Sequence, residues 1–355
     1  MAEKPTVAVL FGGRSGEHEV SLRSGASVAE ALAGSHHVLP VLVDREGGWW
    51  LQEGPGVRET GGQPVFLAAR PQDGGALRRL EDARVVAHPD VYFPVLHGTY
   101  GEDGTVQGLL ELAGVPFVGS GTAASAAGMD KALMKGVFTA AHVPQAEYRI
   151  LLRHERPGAR AHVEPLGLPL FVKPANAGSS VGVSKVKRWE DLEAALDAAF
   201  AYDRKVVAES GLDAREIEVS VLGNNRPEVS VPGEIVPDRE FYDYDSKYSV
   251  ESRTELRIPA PLPEEVTQEV RDLALRVFRC LDACGYARVD FLVDRATLRP
   301  FVNEINTIPG FTSISMFPKL WEVSGVAYDD LVGRLVQLGL ERHRERAALH
   351  TRYER

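Results

Sequence analysis

The chain opens on an apolar, valine-rich run from Thr6 to Phe11 that is long enough for one buried strand. Gly12 and Gly13 break it, and a helical periodicity follows from about Glu19 to Ala33. Further strands are predicted at His37 to Val43, Val91 to Leu96 and Val115 to Val118, with a helix at Thr105 to Leu112. Strands alternating with helices predict a parallel sheet covered on both faces. After Gly119-Ser120-Gly121 an alanine-rich helical stretch runs to Ala141, and the pattern then changes. Strands at Tyr148 to Leu152, Leu168 to Lys173, Val181 to Val186 and Lys205 to Glu209, with an amphipathic helix from Trp189 to Ala201, describe a small α+β layer. A third region carries strands at Ile217 to Leu222, Glu228 to Ile235, Ala287 to Val293 and Pro300 to Ile305. It also carries a helix at Glu264 to Cys284 and a last amphipathic helix from about Tyr328 to Leu340. The arginine-rich end that follows is expected to be a solvated, fraying helix rather than a binding arm.

Composition narrows the class. The 355 residues, 44% hydrophobic and 25% charged, are those of an ordinary globular protein of two or three domains. A formal charge of -10 argues against a surface that neutralises nucleic acid or an anionic membrane. The two cysteines, Cys280 and Cys284, lie four apart in a helical pattern, so no disulfide framework is expected, and no further soft ligands stand near enough for zinc. They are expected to be buried core thiols. No apolar run reaches membrane-spanning length and the first strand is too short for a signal sequence, which predicts a cytoplasmic protein.

Three segments carry candidate chemistry. In Lys173-Pro174-Ala175-Asn176-Ala177-Gly178-Ser179-Ser180-Val181-Gly182 a lysine ends a strand and a glycine-serine loop follows; its small residues let backbone N–H groups approach anionic oxygens while the lysine adds a point charge. The loop is not a Walker motif, and taken alone such a hairpin is more often a plain turn. In Ala287-Arg288-Val289-Asp290-Phe291, Arg288 and Asp290 project from one face; Glu304 and Asn306 do the same in the next strand. Antiparallel pairing would bring Asp290, Glu304 and Asn306 together as hard oxygen ligands suited to magnesium and a nucleotide's phosphates. A solvent-facing strand also alternates charges, but two adjacent strands with the same signature weaken that reading. Thr307 to Ser315 then makes a sharp turn at Pro309-Gly310, where the Gly310 N–H is placed to meet an oxyanion and Ser315 to begin a helix whose free donors favour a carboxylate.

These segments, together with Gly12 to Ser21, Leu96-His97-Gly98, Gly101-Glu102-Asp103-Gly104, Met129-Asp130-Lys131, Phe241 to Tyr248 and Asn303 to Ser315, resemble the D-alanine–D-alanine ligases of the ATP-grasp superfamily, in the same order and from about residue 5 to 345. The resemblance implies an ATP-grasp fold of mixed α/β and α+β class. A Rossmann-like unit over 1–125 would precede a central unit over 126–215 and a catalytic unit over 216–355, the latter two clamping ATP. Lys131 and Lys173 would hold ATP phosphates under a loop carrying Ser179 and Ser180. Glu209 and the backbone near Leu212 would meet adenine, and Glu216 the ribose; Ser210 stands where the family often has lysine. Asp290, Glu304 and Asn306 would bind two magnesium or manganese ions, with room for a monovalent cation.

Glu17 would hold the first D-alanine's ammonium beside His97, Arg288 and Gly310 would stabilise the oxyanion, and Ser315 with Met316 would meet the second substrate. Tyr248 would link to Ser179 and Glu17, with Lys247 on the transferring phosphate. The implied reaction makes D-alanyl-D-alanine through an acyl phosphate, for peptidoglycan precursors, in a homodimer joined through the first unit. Rival readings are a D-alanine–D-lactate or D-alanine–D-serine ligase, disfavoured by the Lys247-Tyr248 pair; a nucleotide-binding module without catalysis, disfavoured by the intact ligand set; and a dinucleotide-binding protein using Asp44, disfavoured because Gly12-Gly13-x-x-Gly16 is not G-x-G-x-x-G.

Overall fold

A computed structural model describes residues 4–237, 254–312 and 314–350; Lys247 and Tyr248 lie outside the described residues. The first sheet is built on β1 (Thr6–Gly12), which pairs in parallel with β2 (His37–Val43) and β7 (Val91–Pro94). The predicted strand at 115–118 is reduced to a single parallel bridge between Tyr92 and Phe117. The sheet is larger than the pattern predicts, because β3 (Trp49–Leu51), β4 (Gln63–Leu67), β5 (Leu77–Arg79) and β6 (Val85–Ala87) extend it antiparallel beyond β2. These strands are three to five residues long and separated by glycine and proline, too short for an alternation to declare itself.

Asp44 organises the first of these turns. Its carboxylate accepts the N–H groups of Glu46 and Gly48 and the indole N–H of Trp50, so it is committed to the hairpin rather than to a ribose. At the end of β1 Gly12 has φ +92°, and a Cβ there would sit 2.4 Å from the Val43 carbonyl oxygen. Gly12→Ala is expected to destabilise the fold by about 3 kcal/mol through left-handed strain plus this overlap. The measurement is the urea midpoint at unchanged slope, and an undisturbed midpoint would mean that the turn relaxes freely.

The helix His18–Ala33 covers one face of this sheet through Leu22, Val28, Ala29 and Leu32, and the last helix, Tyr328–Ala347, lies beside it with Leu331, Val332, Leu335 and Val336 in the same core. The helix Thr105–Ala113 packs on the opposite face with Leu110 and Ala113, so both faces are covered as predicted. The arginine-rich end is exposed from Arg344 to His350, as expected of a solvated helix, but Arg342 is packed against the first sheet. The last helix continues to Ala347; Arg342 lies 4.6 Å over the Phe117 ring and donates to Glu111 at 2.9 Å, and Arg346 also pairs with Glu111. A long side chain can bury its stem and plane while its charge stays paired, which a count of charges along the sequence does not reveal.

The alanine-rich stretch is two helices, Thr122–Met129 and Lys131–Ala140, because Asp130 between them caps the second by accepting the N–H groups of Ala132 and Leu133. The second sheet follows, with β8 (Tyr148–Leu152), β9 (Leu170–Pro174), β10 (Ser184–Val186) and β11 (Lys205–Ser210) all antiparallel in the order β10-β9-β11-β8, backed by the helix Leu192–Phe200.

The third sheet contains β12 (Ala214–Gly223), β13 (Glu228–Val229), β14 (Gly233–Val236), β15 (Glu255–Arg257), β16 (Gly285–Asp294) and β17 (Pro300–Asn306) in the order β15-β14-β12-β16-β17, with β13 also on β12. The single strand predicted over 228–235 is thus split; Pro232, which lacks an N–H for the ladder, falls in the break. The helix Glu264–Cys280 packs on one face with Val270, Leu273, Ala274 and Val277. It stops before Cys284, so the two cysteines do not share a helix; both are half-buried rather than core thiols. The other face of the sheet looks across a cleft at the second sheet.

Candidate active site

The strand β16 alternates buried and half-buried residues from Ala287 to Asp294, as its sequence predicts, and sends Arg288 and Asp290 to the cleft face. Cross-strand register builds the rest. Asp290 lies opposite Glu218 on β12 and opposite Glu304 on β17, while Arg288 lies opposite Ser220 and Asn306. Arg288 bridges this row: its guanidinium donates to both oxygens of Asp290 at 2.7 Å, and its Nε lies 3.0 Å from Glu218. Burial opposes the charge on Arg288, but Asp290 and Glu218 hold it well above the usual guanidinium range. Asn306 donates its amide to Asp290 at 3.0 Å. Asp290, Glu304 and Asn306 are therefore brought together, as pairing of the two strands requires.

The register shifts between Asp290 and Phe291, where Phe291 faces Val302, leaving Asn303 as the extra residue of a bulge. Strict alternation places Asn303 on the far face. The bulge brings it into the cleft instead, with Oδ1 3.5 Å from the Lys173 ammonium.

The second sheet supplies cations. Lys173 on β9 lies opposite Val207 of β11, and its Nζ is 2.7 Å from one oxygen of Glu209; Lys135, from the helix Lys131–Ala140, is 2.7 Å from the other. Burial alone would raise the Glu209 carboxyl, but the two ammonium groups pull it down to about 2. Lys131 donates to the Ala177 carbonyl at 2.8 Å and stands 3.7 Å from Glu304, so it joins the glycine-serine loop to the carboxylate row. That loop is rooted by Asn176, which donates to Asp130 and Asp203, and carries Ser179 and Ser180 at φ 48° and 59°. Leu212 and Glu216 line the same cleft beyond the end of β11.

The first sheet contributes the far wall. Glu17 precedes the helix His18–Ala33, and an ideal Cβ on Gly178 would lie 2.5 Å from its carboxylate, so the loop tip rests against Glu17. His97 is buried between the Ile308 carbonyl and the Ser24 hydroxyl, each at 3.0 Å; burial depresses its pKa against the opposing pull of Glu17 and the Ile308 carbonyl, leaving the imidazole neutral. Burial, with Glu17 and Glu304 nearby, pushes the Glu102 carboxyl up to about 8, although it accepts the Gly98 N–H and feels Lys131. A carboxyl whose folded pKa exceeds its unfolded value near 4.5 stabilises fully below that value and loses the contribution as pH rises through about 8. The ligand-free protein is therefore expected to lose stability between those limits and Glu102→Gln to lose less, as read from denaturant midpoints across the range.

The 307–315 turn is held by Phe311, whose ring lies 6.2 Å from Phe93, 5.6 Å from Tyr286 and 5.3 Å from Phe317. This aromatic cluster joins the first and third sheets directly beneath Gly310. Ser315 precedes the helix Met316–Val323 and hydrogen-bonds Thr312, while Gly310, Ser315 and Met316 all line the cleft. The enclosed space is about 1010 Å³, running from Glu17 past Arg288 to Leu212.

Asp290, Glu304 and Asn306 present hard oxygens from two paired strands, although among the described residues no group of three or more His, Cys, Asp or Glu converges as a protein-only metal cage. This donor set fits a divalent ion that takes most of its ligands from phosphate and water rather than from a protein cage. Sequence reasoning did not single out Glu218, Asn303, Lys135 or Glu102 as site residues. Glu218 alternates in β12 like its neighbours and was open to the same reasoning; Lys135 sits on a helix whose buried face gives no hint of a partner 74 residues away.

Family models described as D-ala D-ala ligase N-terminus and C-terminus match residues 6–120 and 137–337. A D-alanine–D-alanine ligase of Heliobacterium modesticaldum is 50% identical, covering 97% of this chain and 96% of the relative. One from Thermoanaerobacter sp. is 49% identical, with 97% and 99% covered. Among solved structures, the D-alanine–D-alanine ligase of Coxiella burnetii superposes with a TM-score of 0.84 at 34% identity, covering 98% of this chain and 97% of that one. The VanG D-Ala:D-Ser ligase of Enterococcus faecalis does so at 0.84 and 31%, with 95% and 100% covered. With matches to both halves and near-complete coverage at about half identity, the chain belongs to the D-alanine–D-alanine ligase family.

Proposed function

We infer that this protein joins two molecules of D-alanine, at the expense of ATP, into D-alanyl-D-alanine for peptidoglycan precursors. The observation that carries the reading is a single cleft with lysines beneath a glycine-serine loop at its centre, a carboxylate for an ammonium at one end, and Arg288 between them. In this reading Glu209, the Leu212 backbone and Glu216 hold adenosine, Lys131 and Lys173 hold its phosphates, and Ser179 and Ser180 close over them. Glu17 holds the first D-alanine by its ammonium, with neutral His97 packed behind. The carboxylate of that D-alanine attacks the γ-phosphorus, the bond to the leaving ADP breaks, and an acyl phosphate remains. Asp290, Glu304 and Asn306 would hold magnesium or manganese, which supplies positive charge against the phosphates.

Arg288 and the Gly310 N–H then stand beside the acyl carbon, where the amine of the second D-alanine attacks, its carboxylate held by Ser315 next to Met316. Charge developing on the carbonyl oxygen meets a guanidinium fixed in advance, so little reorganisation is required. Phosphate leaves and the amine loses a proton. Closure of the loop on Glu17 keeps water from the acyl phosphate. Lys247 and Tyr248 belong to the reading by resemblance alone. Among the described residues no helix is long and apolar enough to cross a membrane; a cytoplasmic homodimer completes the proposal.

Phosphate release with ATP and magnesium tests it, with D-alanine alone, L-alanine, D-alanine plus D-lactate and D-alanine plus D-serine supplied separately and products weighed. Dipeptide and ADP from D-alanine alone are expected. Silence there with turnover on a mixed pair would overturn the substrate assignment.

A further inference from the structure

Lys135 stands out among the buried charges because its part in the site is indirect. Its side chain is 1% exposed, its Nζ lies 2.7 Å from Glu209, and it does not line the cleft, whereas Glu209 and Lys173 do. Burying an ammonium costs more than burying an apolar side chain of the same size, so a lysine that cannot reach the ligand needs another reason. Charge counting on the cluster gives one. Glu209 carries two lysines, an excess of one positive charge that suits an arriving phosphate. Once Lys173 turns to that phosphate, as the function proposed above has it, Glu209 keeps one counter-ion and stays an anion; without Lys135 it would be a bare buried carboxylate and would take up a proton.

We propose that Lys135 is a positioning residue that keeps Glu209 an obligate hydrogen-bond acceptor, and so makes the cleft select a 6-aminopurine nucleotide over a 6-oxopurine one. An ionised carboxylate only accepts, so it pairs with an exocyclic amino group and faces a 6-oxo group acceptor to acceptor. A protonated carboxyl can donate and tolerates the oxo group. Lys135 acts through Glu209, whose Oε1 it holds while Ser210, Gly211 and Leu212 continue the cleft wall beside it. The Tyr148 ring, 5.3 Å from the Lys135 ammonium, helps fix the lysine in place.

The inference rests on the nucleotide reading, and the test separates the two. Binding of ATP and of inosine triphosphate to the full-length protein is measured calorimetrically for the unmodified chain, Lys135→Met and Lys135→Arg. The unmodified protein is expected to prefer ATP by about 100-fold, a scale set by a buried group left unpaired. Lys135→Met should narrow the ratio to below about 10-fold and Lys135→Arg should restore much of it. Equal weakening of both nucleotides by Lys135→Met, with the ratio kept, would reduce Lys135 to a structural role and overturn the proposal. Should Lys135→Met fail to fold, Glu209→Gln, whose amide can turn a donor toward the 6-oxo group, must narrow the ratio likewise; an unchanged ratio is again fatal. No ATP binding by the unmodified protein would instead remove the function proposed above.

Discussion

Arg288→Ala is expected to lower dipeptide formation at saturating substrates by about 10²- to 10³-fold, the scale of removing one donor from an oxyanion site, while ATP binding survives. The guanidinium bridges Asp290 and Glu218, on the strands β16 and β12, away from the Glu209 end of the cleft. The same contacts predict a second consequence. Truncation leaves those two largely buried carboxylates without their common counter-ion, which is expected to destabilise the fold by about 3 to 5 kcal/mol. Arg288→Lys separates the effects, because a point charge can relieve the carboxylates but cannot reproduce a fork that donates to both oxygens of Asp290. Lysine should therefore recover most of the denaturation midpoint and little of the turnover. Turnover within a few-fold of normal in Arg288→Ala would end its assignment to the oxyanion.

What the sequence disclosed about this cleft follows one physical line. Period-2 alternation in β16 and β17 is a local signal, and it suffices to place Arg288, Asp290, Glu304 and Asn306 because antiparallel register does the rest. Asn303 was hidden because a bulge has no reliable signature in a single sequence, and one extra residue reverses the face. Lys135 and Glu209 were hidden as a pair because they meet across a helix and a strand far apart in the chain. The short strands at 49–87 escaped for a different reason: the sheet, through pairing with β2 and then with one another, stabilises segments whose own patterning is too brief to read. The resemblance to the ligase family, carried by motifs in order, reached further than periodicity because it needs no geometry.

Lys173→Met should show the opposite division from Lys135→Met. Lys173 lines the cleft and Lys135 does not, although both sit 2.7 Å from Glu209. Replacing Lys173 removes a cation from the transferring phosphate, and kcat is expected to fall by about 10²- to 10³-fold with the preference for ATP over inosine triphosphate retained, since Lys135 still keeps Glu209 ionised. An acid titration adds a readout independent of nucleotide. Burial disfavours the Glu209 carboxylate, but the two lysines hold its folded pKa at about 2 against 4.5 as the ordinary value. Its contribution to stability is thus present above 4.5 and lost as pH falls through about 2. Removing either lysine raises the folded pKa, so both variants should begin to unfold at a higher pH than the unmodified protein, and by similar amounts because the two ion pairs are equally short. Equal acid sensitivity with unequal catalytic and selective consequences would place the difference between the two lysines in what each one reaches, not in how well each one neutralises Glu209. If Lys173→Met lost ATP selectivity and Lys135→Met lost turnover, the roles assigned to them would have to be exchanged.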